Sequence, residues 1–257
     1  GLLDEVEFAV RAETMLGVYN LYASYFRGRQ DLPAAWMDGD VLHLAYRRMH
    51  HVGLAAAGSI GGAAVWAEAG AAILHLHARD PETGKPTPDP EMFLRFLPRI
   101  KAGTNAVINI TTGGAQTMTI DERLAGPSRM QPEMCSLNMG SMNFALYPMA
   151  ARISEWKHAW EKPFLEGSDD LVFKNTPRDI GFVLHEMGHQ RGARFEFECY
   201  DVSHLYMLKH FVDRGAVQAP LFIQFVFGVL GGMAADPDML GLMKRTADRL
   251  FGDTYQF

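Results

Sequence analysis

The chain has 257 residues, 48% of them hydrophobic and 21% charged, with 25 glycines. That composition fits one large α/β domain or two small ones and excludes a disordered chain. The formal net charge of −6 argues against a general nucleic-acid binder, although a local arginine or helix N-terminus can still hold an anion. Cys135 and Cys199, both inside apolar runs, read as reduced core thiols. No signal peptide and no apolar run of bilayer length is visible, so a cytoplasmic protein without a membrane partner is expected.

Residues 1–58 carry Leu2, Leu3, Val6, Val10, Leu16, Tyr19 and Tyr22 at helical spacing. Two or three helices of unknown role are expected there, before a second domain over residues 59–257. From Ala63 the pattern alternates between helices and strands. A helix over Ala63–Ala69 leads into a strand over Ala71–Ala78. After a loop over residues 81–90, Asp89 and Pro90 suit the cap and first turn of a helix through Ile100. Strands are expected over Ala106–Thr112, Met134–Leu137, Phe195–Tyr200 and Leu221–Phe227. Helices are expected near Ile120–Ala125 and over Phe173–Met187, His204–Arg214 and Asp236–Leu250. Strands separated by helical segments mean βα units and a parallel sheet. Polar or glycine-rich residues follow the strand ends, which is the layout of a (β/α)8 barrel. Five such units are recognisable, so the barrel reads as incomplete, with the five strands parallel and adjacent in that order.

The segment AAILHLHARD (residues 71–80) holds the strongest chemical signal. On a strand His75 and His77 project from one face, among Ala72, Leu74, Leu76 and Ala78 on a segment otherwise built for burial. Two imidazoles so placed can ligate one divalent ion such as zinc.

From about Ala63 to Phe257 the chain resembles the β-keto acid cleavage enzymes, the group that includes 3-keto-5-aminohexanoate cleavage enzyme. The resemblance rests on six ordered segments: AGAAILHLHARDPETGKPTPDPE, AVINITTGG, PEMCSLNMGSMNF, VFKNTPRDI, RFEFECYDVSHL and PLFIQFVFGVLGG. It implies a zinc-dependent (β/α)8 barrel that takes a small-molecule β-keto acid and acetyl-CoA to acetoacetate and a new acyl-CoA. It implies His75 and His77 as zinc ligands and substrate contacts at Thr111, Gly114, Ser136 and Asn138. One of Glu196 and Glu198 is expected to face the barrel interior. Homo-oligomers are implied as well. By the same resemblance, a first strand with a site glutamate is expected and residues 1–58 do not match it. Two further βα units are expected past Phe257, the last carrying a glutamate as third zinc ligand. The general base that takes the α-proton of acetyl-CoA is not identified among these residues.

Two other readings compete. His185-Glu186-Met187-Gly188-His189 fits H-E-x-x-H, in which the histidines bind zinc and the glutamate activates water in a metallopeptidase. A non-catalytic partial barrel is the third. The cluster Gly228-Val229-Leu230-Gly231-Gly232 reads as a strand-to-helix turn, and the 15 methionines as core filler.

Overall fold

The computed structural model describes residues 72–257 throughout and, before them, the backbone of six strands between residues 8 and 68. The chain divides after Ala72 into two units. In the first, β1 (Phe8–Leu16), β2 (Tyr19–Arg29), β5 (Arg48–Ile60) and β6 (Ala63–Glu68) form an antiparallel sheet in the order β1-β2-β5-β6. Between them, β3 (Ala34–Asp38) and β4 (Val41–Ala45) pair antiparallel. The helices expected within residues 1–58 and over 63–69 are therefore corrected to strands, with Leu2, Leu3 and Val6 outside the described residues. The physical reason is that spacing alone is a weak prior. Tyrosine-rich segments favour strands, and cross-strand pairing overrides a three-to-four residue period. Thus Tyr22 stands opposite Glu13 on one side and Ala55 on the other.

The second unit follows the expected alternation. Strand β7 (Ile73–Leu76) is followed by α1 (Pro90–Leu94) and α2 (Leu97–Gly103), then β8 (Val107–Thr111) and α3 (Ile120–Met130). Next come β9 (Met134–Asn138) and β10 (Met142–Asn143), the short α4 (Glu161–Glu166), and β11 (Val172–Phe173), which pairs with β10. Helix α5 (Pro177–Val183) runs into a π-helical turn, Leu184–His189. The chain continues through β12 (Arg194–Cys199), α6 (Val202–Asp213), β13 (Leu221–Phe225), α7 (Pro237–Phe251) and β14 (Tyr255–Gln256). The six main strands form one sheet in the order β14-β13-β12-β9-β8-β7, every neighbouring pair parallel. The five expected strands are thus adjacent and in sequence order, and β14 adds a sixth. Among the described residues the sheet is open, so a mixed α/β fold is established and a closed barrel is not.

Local chemistry explains where the helices begin. Asp89, Asp201 and Asp236 each accept a backbone N–H of the first turn, and Pro90 and Pro237 sit where a missing N–H costs nothing. Thr119 with Glu122 and Thr176 with Asp179 form reciprocal capping boxes. The second box corrects the helix expected over Phe173–Met187. Phe173 belongs to a strand, and Thr176 starts the helix after it.

Strands β7, β8, β9 and β12 each carry an apolar face and a more polar one. Leu76, Ile108, Ile110, Cys135, Leu137, Phe197, Cys199, Leu221 and Ile223 lie in the hydrophobic clusters. Ile180, Val183, Leu205, Leu208, Met243 and Ala247 of α5, α6 and α7 cover the larger of them. Fully burying such a side chain contributes about 1.5–3 kcal/mol, so this face holds the unit together. Both cysteines are free and buried within it. The other face carries the site.

Candidate metal and substrate site

Strand register assembles the polar face. His75 pairs with Asn109, Thr111 with Ser136, Ser136 with Glu196, and Asn138 with Glu198. Side chains two apart share a face, so His75, Asn109, Thr111, Ser136, Asn138, Glu196 and Glu198 all project to the same side. All but His75 are buried, Asn109 completely at 0% exposure. Burying this many polar groups is costly unless they satisfy one another or bind something.

They do satisfy one another in part. His75 Nδ1 lies 2.9 Å from Glu196 Oε2 and 4.0 Å from Glu198 Oε1, while its Nε2 lies 3.3 Å from the Ser136 hydroxyl. Asn109 Nδ2 donates to the same Glu196 oxygen, and the Tyr200 hydroxyl donates to Glu198 Oε2 at 2.9 Å. Asn109 Oδ1 is buried with no partner among the described residues. Burial opposes the charged form of His75, but the hydrogen bond to Glu196 and the charges of Glu198 and Glu196 outweigh it, so its pKa rises above the ordinary value. Burial raises Glu198, and the adjacent Glu196 charge adds to that. Burial also drives the Tyr200 hydroxyl upward, so it stays a donor.

His75, Glu196 and Glu198 each offer a donor atom within 4.8 Å of the others. One imidazole nitrogen and two carboxylate oxygens are a donor set for zinc or a similar divalent ion, which would replace the proton that now joins His75 to Glu196. The donor chemistry fits a metal. His77 projects as expected from the same face, its ring stacked on that of His75 with centroids 5.0 Å apart and planes 3° apart, but it is not in that three-donor group. Its outer side is exposed. Packing around the ring, then the charges of His75 and Arg79, push it down to about 4, so it is a neutral donor.

The other expected residues ring this centre. Thr111 Oγ1 accepts from Gly113 N at 2.9 Å, which shapes the turn after β8. Gly114 has φ +61° there, and a Cβ on it would lie 2.9 Å from Arg123 Cγ and from Met118 Sδ. Asn138 O accepts from Asn175 Nδ2 at 2.5 Å. Arg123, which the sequence did not single out, ties this rim together. Its Nε donates to Thr112 O at 2.6 Å, Nη1 to Lys174 O at 3.2 Å and Nη2 to Asn175 Oδ1 at 3.1 Å.

The H-E-x-x-H histidines are elsewhere. His185 and His189 are exposed on the π-helical turn, their rings stacked 5.4 Å apart. Glu186 is held by Arg191 at 3.0 Å, and His185 Nε2 is 3.0 Å from Gln190 Nε2. Among the described residues no third ligand joins them. The glycine cluster after β13 is a turn, as expected. Gly228 and Gly231 take positive φ, and a Cβ on Gly231 would meet Asn143 O at 2.0 Å.

Comparison with known proteins gives the same assignment over most of the chain. Residues 51–257 match the model of the beta-keto acid cleavage enzyme family. A 3,5-dioxohexanoate:acetyl-CoA acetone transferase of Paraburkholderia graminis is 60% identical over 197 residues, 76% of this chain and 63% of that protein. A 3-dehydrocarnitine:acetyl-CoA trimethylamine transferase of Rhizobium meliloti is 30% identical over 193 residues, covering 66% and 56%. A 3-keto-5-aminohexanoate cleavage enzyme of Acetoanaerobium sticklandii is 33% identical over 171 residues, covering 66% and 53%. The chain thus spans between 53% and 63% of the length of these relatives.

Proposed function

Since the chain belongs to the β-keto acid cleavage enzyme family, we propose that its parallel sheet carries the keto acid and metal half of an acetyl-CoA-dependent cleavage site. The observation that carries this reading is the buried polar face around His75. The reaction joins the acetyl group of acetyl-CoA to the carboxymethyl part of the keto acid, releasing acetoacetate, while the remaining acyl group passes to CoA. His75, Glu196 and Glu198 hold a zinc ion, with His77 beside them as a further donor. When bound, zinc supplies a Lewis acid that polarises the 3-keto oxygen and the carboxylate.

The residues around it position the reactants. Thr111, Ser136 and Asn138 offer a hydroxyl, a second hydroxyl and an amide to the keto acid. The N–H groups of Gly113 and Gly114 approach its carboxylate closely because no Cβ intervenes. Tyr200 holds Glu198 in place by donating to its Oε2 at 2.9 Å. Asn109 holds Glu196 in place by donating to its Oε2.

The name of the Paraburkholderia relative makes 3,5-dioxohexanoate the first keto acid to try. Zinc-loaded chain is incubated with that acid and acetyl-CoA labelled with ¹³C in the acetyl group. Labelled acetoacetate should form and should be lost in His75→Ala. Label-free acetoacetate, or label transfer that survives His75→Ala, would refute the reading. Labelled transfer with dehydrocarnitine instead would move the substrate, not the chemistry.

A further inference from the structure

Helix α6 is capped by Asp201, and its first turn carries a histidine that the site described above does not use. His204 is 4% exposed. Its Nδ1 accepts the Tyr200 N–H at 3.2 Å, and its ring stands edge-on to the Tyr200 ring with centroids 6.3 Å apart. Its other nitrogen faces Gly140, where a Cβ would lie 2.5 Å from Nε2 and 2.6 Å from Cδ2. Only a glycine leaves room for the imidazole there. Burial holds the His204 pKa below the ordinary histidine value against the pull of Asp201, so the ring is neutral at pH 7. The bond from Tyr200 N then puts the ring proton on Nε2. A leucine would fill this space with no polar group to bury, so the histidine has to be explained by what its nitrogens hold.

What Nδ1 holds is the backbone of Tyr200, where the chain leaves β12. Tyr200 O accepts from Met233 N at 3.0 Å, so both backbone polar groups of this residue are fixed. The side chain turns back over the strand. Its hydroxyl donates to Glu198 Oε2 at 2.9 Å, and its ring packs edge-on against Phe144 with centroids 5.8 Å apart. Glu198 Oε1 is left to face His75 Nδ1 at 4.0 Å. The chain of contacts from His204 through Tyr200 thus ends at a carboxylate of the three-donor group. On the other side, Gly140 lies two residues after Asn138, and Met139 N donates to Glu198 O at 3.0 Å. One imidazole therefore touches the ends of both strands that carry Asn138 and Glu198.

We propose that His204 is a positioning residue of the metal site, which fixes the Tyr200 backbone so that the Tyr200 hydroxyl holds Glu198 in its ligating orientation. The inference rests on the function proposed above in taking Glu198 as a metal ligand. Groups that orient a metal-binding side chain typically change metal affinity by about 10–100-fold.

The test compares zinc affinity of the full chain, by competition with a chromophoric chelator, in the parent, His204→Leu and His204→Asn. Leucine and asparagine branch alike, but asparagine carries an oxygen close to where Nδ1 accepts. His204→Leu should weaken zinc binding about tenfold or more, as Tyr200→Phe should, and His204→Asn should recover most of the loss. The double variant should bind no more weakly than Tyr200→Phe alone, because both changes break one chain of contacts. Metal-free chain labelled with fluorotyrosine gives a second readout. The Tyr200 fluorine resonance, assigned by its loss in Tyr200→Phe, should move in His204→Leu in the direction it moves in Glu198→Gln. Circular dichroism reports folding, and where leucine unfolds the chain, Gly140→Ala displaces the same ring from its other side and is read in its place. An unmoved resonance, unchanged zinc affinity in a folded variant, or losses that add in the double variant would overturn the role of His204. A parent chain that binds no zinc refutes the metal half of the proposed function, and the fluorine resonance alone then decides whether His204 positions the Tyr200–Glu198 pair.

Discussion

Replacing Arg123 by Met should destabilise the second unit by about 2–4 kcal/mol. Arg123 is 7% exposed, yet its three hydrogen bonds go to two carbonyls and an amide oxygen, not to a carboxylate. Thr112 O and Asn175 Oδ1 are held in buried bonds. Each would be left without its donor, at about 1–3 kcal/mol per buried acceptor. The face of Phe173, 5.0 Å from the guanidinium carbon, would lose a cation–π contact of about 0.5–2 kcal/mol. Methionine keeps most of the side-chain volume and removes the cost of burying a charge, which offsets part of the loss. The sum stays clearly unfavourable. Equilibrium urea unfolding of both chains, followed by tryptophan fluorescence, gives the difference, and Arg123→Lys should fall between them because it keeps the charge and loses the fork. A loss below 1 kcal/mol for Arg123→Met, or a gain, would mean that desolvation dominates. The clamp between the ends of β8 and β9 would then be energetically idle.

Isothermal titration with zinc should show one strong site that His75→Ala abolishes and Glu196→Gln weakens at least tenfold, while His189→Ala leaves it unchanged; the opposite pattern would move the metal to the π-helical turn. The Asp179 carboxylate is opposed by burial but held below the ordinary aspartate value by hydrogen bonds from Thr176 and Lys174. Its stabilising contribution is therefore present above the unfolded value near 4 and lost as pH falls through the lower folded value. Asp179→Asn should cost about 1 kcal/mol at pH 7 and less at pH 3, compared by urea midpoints at the two pH values; an equal cost at both would refute the cap's electrostatic role. Burial pushes the Cys135 thiol up to about 12 and raises Cys199 as well. Both should react with a disulfide reagent only at the rate of unfolding, and fast labelling of the folded chain would contradict their placement.

The order and direction of the parallel strands were legible because each is a short apolar run bounded by caps and glycines. Asp89 with Pro90 marked one helix start correctly, whereas the cap at Thr176 was passed over and that helix was read as beginning at Phe173. β14 is too short to show a period, and only the family resemblance placed a strand at the end of the chain. The first unit was misread because Leu16, Tyr19 and Tyr22 satisfy a helical spacing, although Leu16 and Tyr19 pair with each other and Tyr22 pairs with Glu13 and with the distant Ala55. At the site, His75 and His77 stood out because imidazoles interrupt an apolar strand. Glu196 and Glu198 showed the right alternation, but nothing local says which strand they face. Only the register across β9 brings Glu196 opposite Ser136, and so beside His75.

Asn109 and Arg123 show why the rest of the site could not be read. Each is one polar residue on an element that is otherwise ordinary, and each matters through a partner 51 to 87 positions away. The asymmetry of the sheet gives them their meaning. Its apolar face accounts for the stability of the unit, since it buries Ile110, Leu137, Leu205 and Ile223 completely. The opposite face buries Asn109, Ser136, Asn138, Glu196 and Glu198, and leaves Asn109 Oδ1 without a partner. A fold selected for stability alone would fill those positions with valine and leucine, as parallel strands covered on both sides do. Buried carboxylates, a histidine held between them and an unpartnered amide oxygen on one face are the expected marks of a site whose remaining partners are a ligand and an ion.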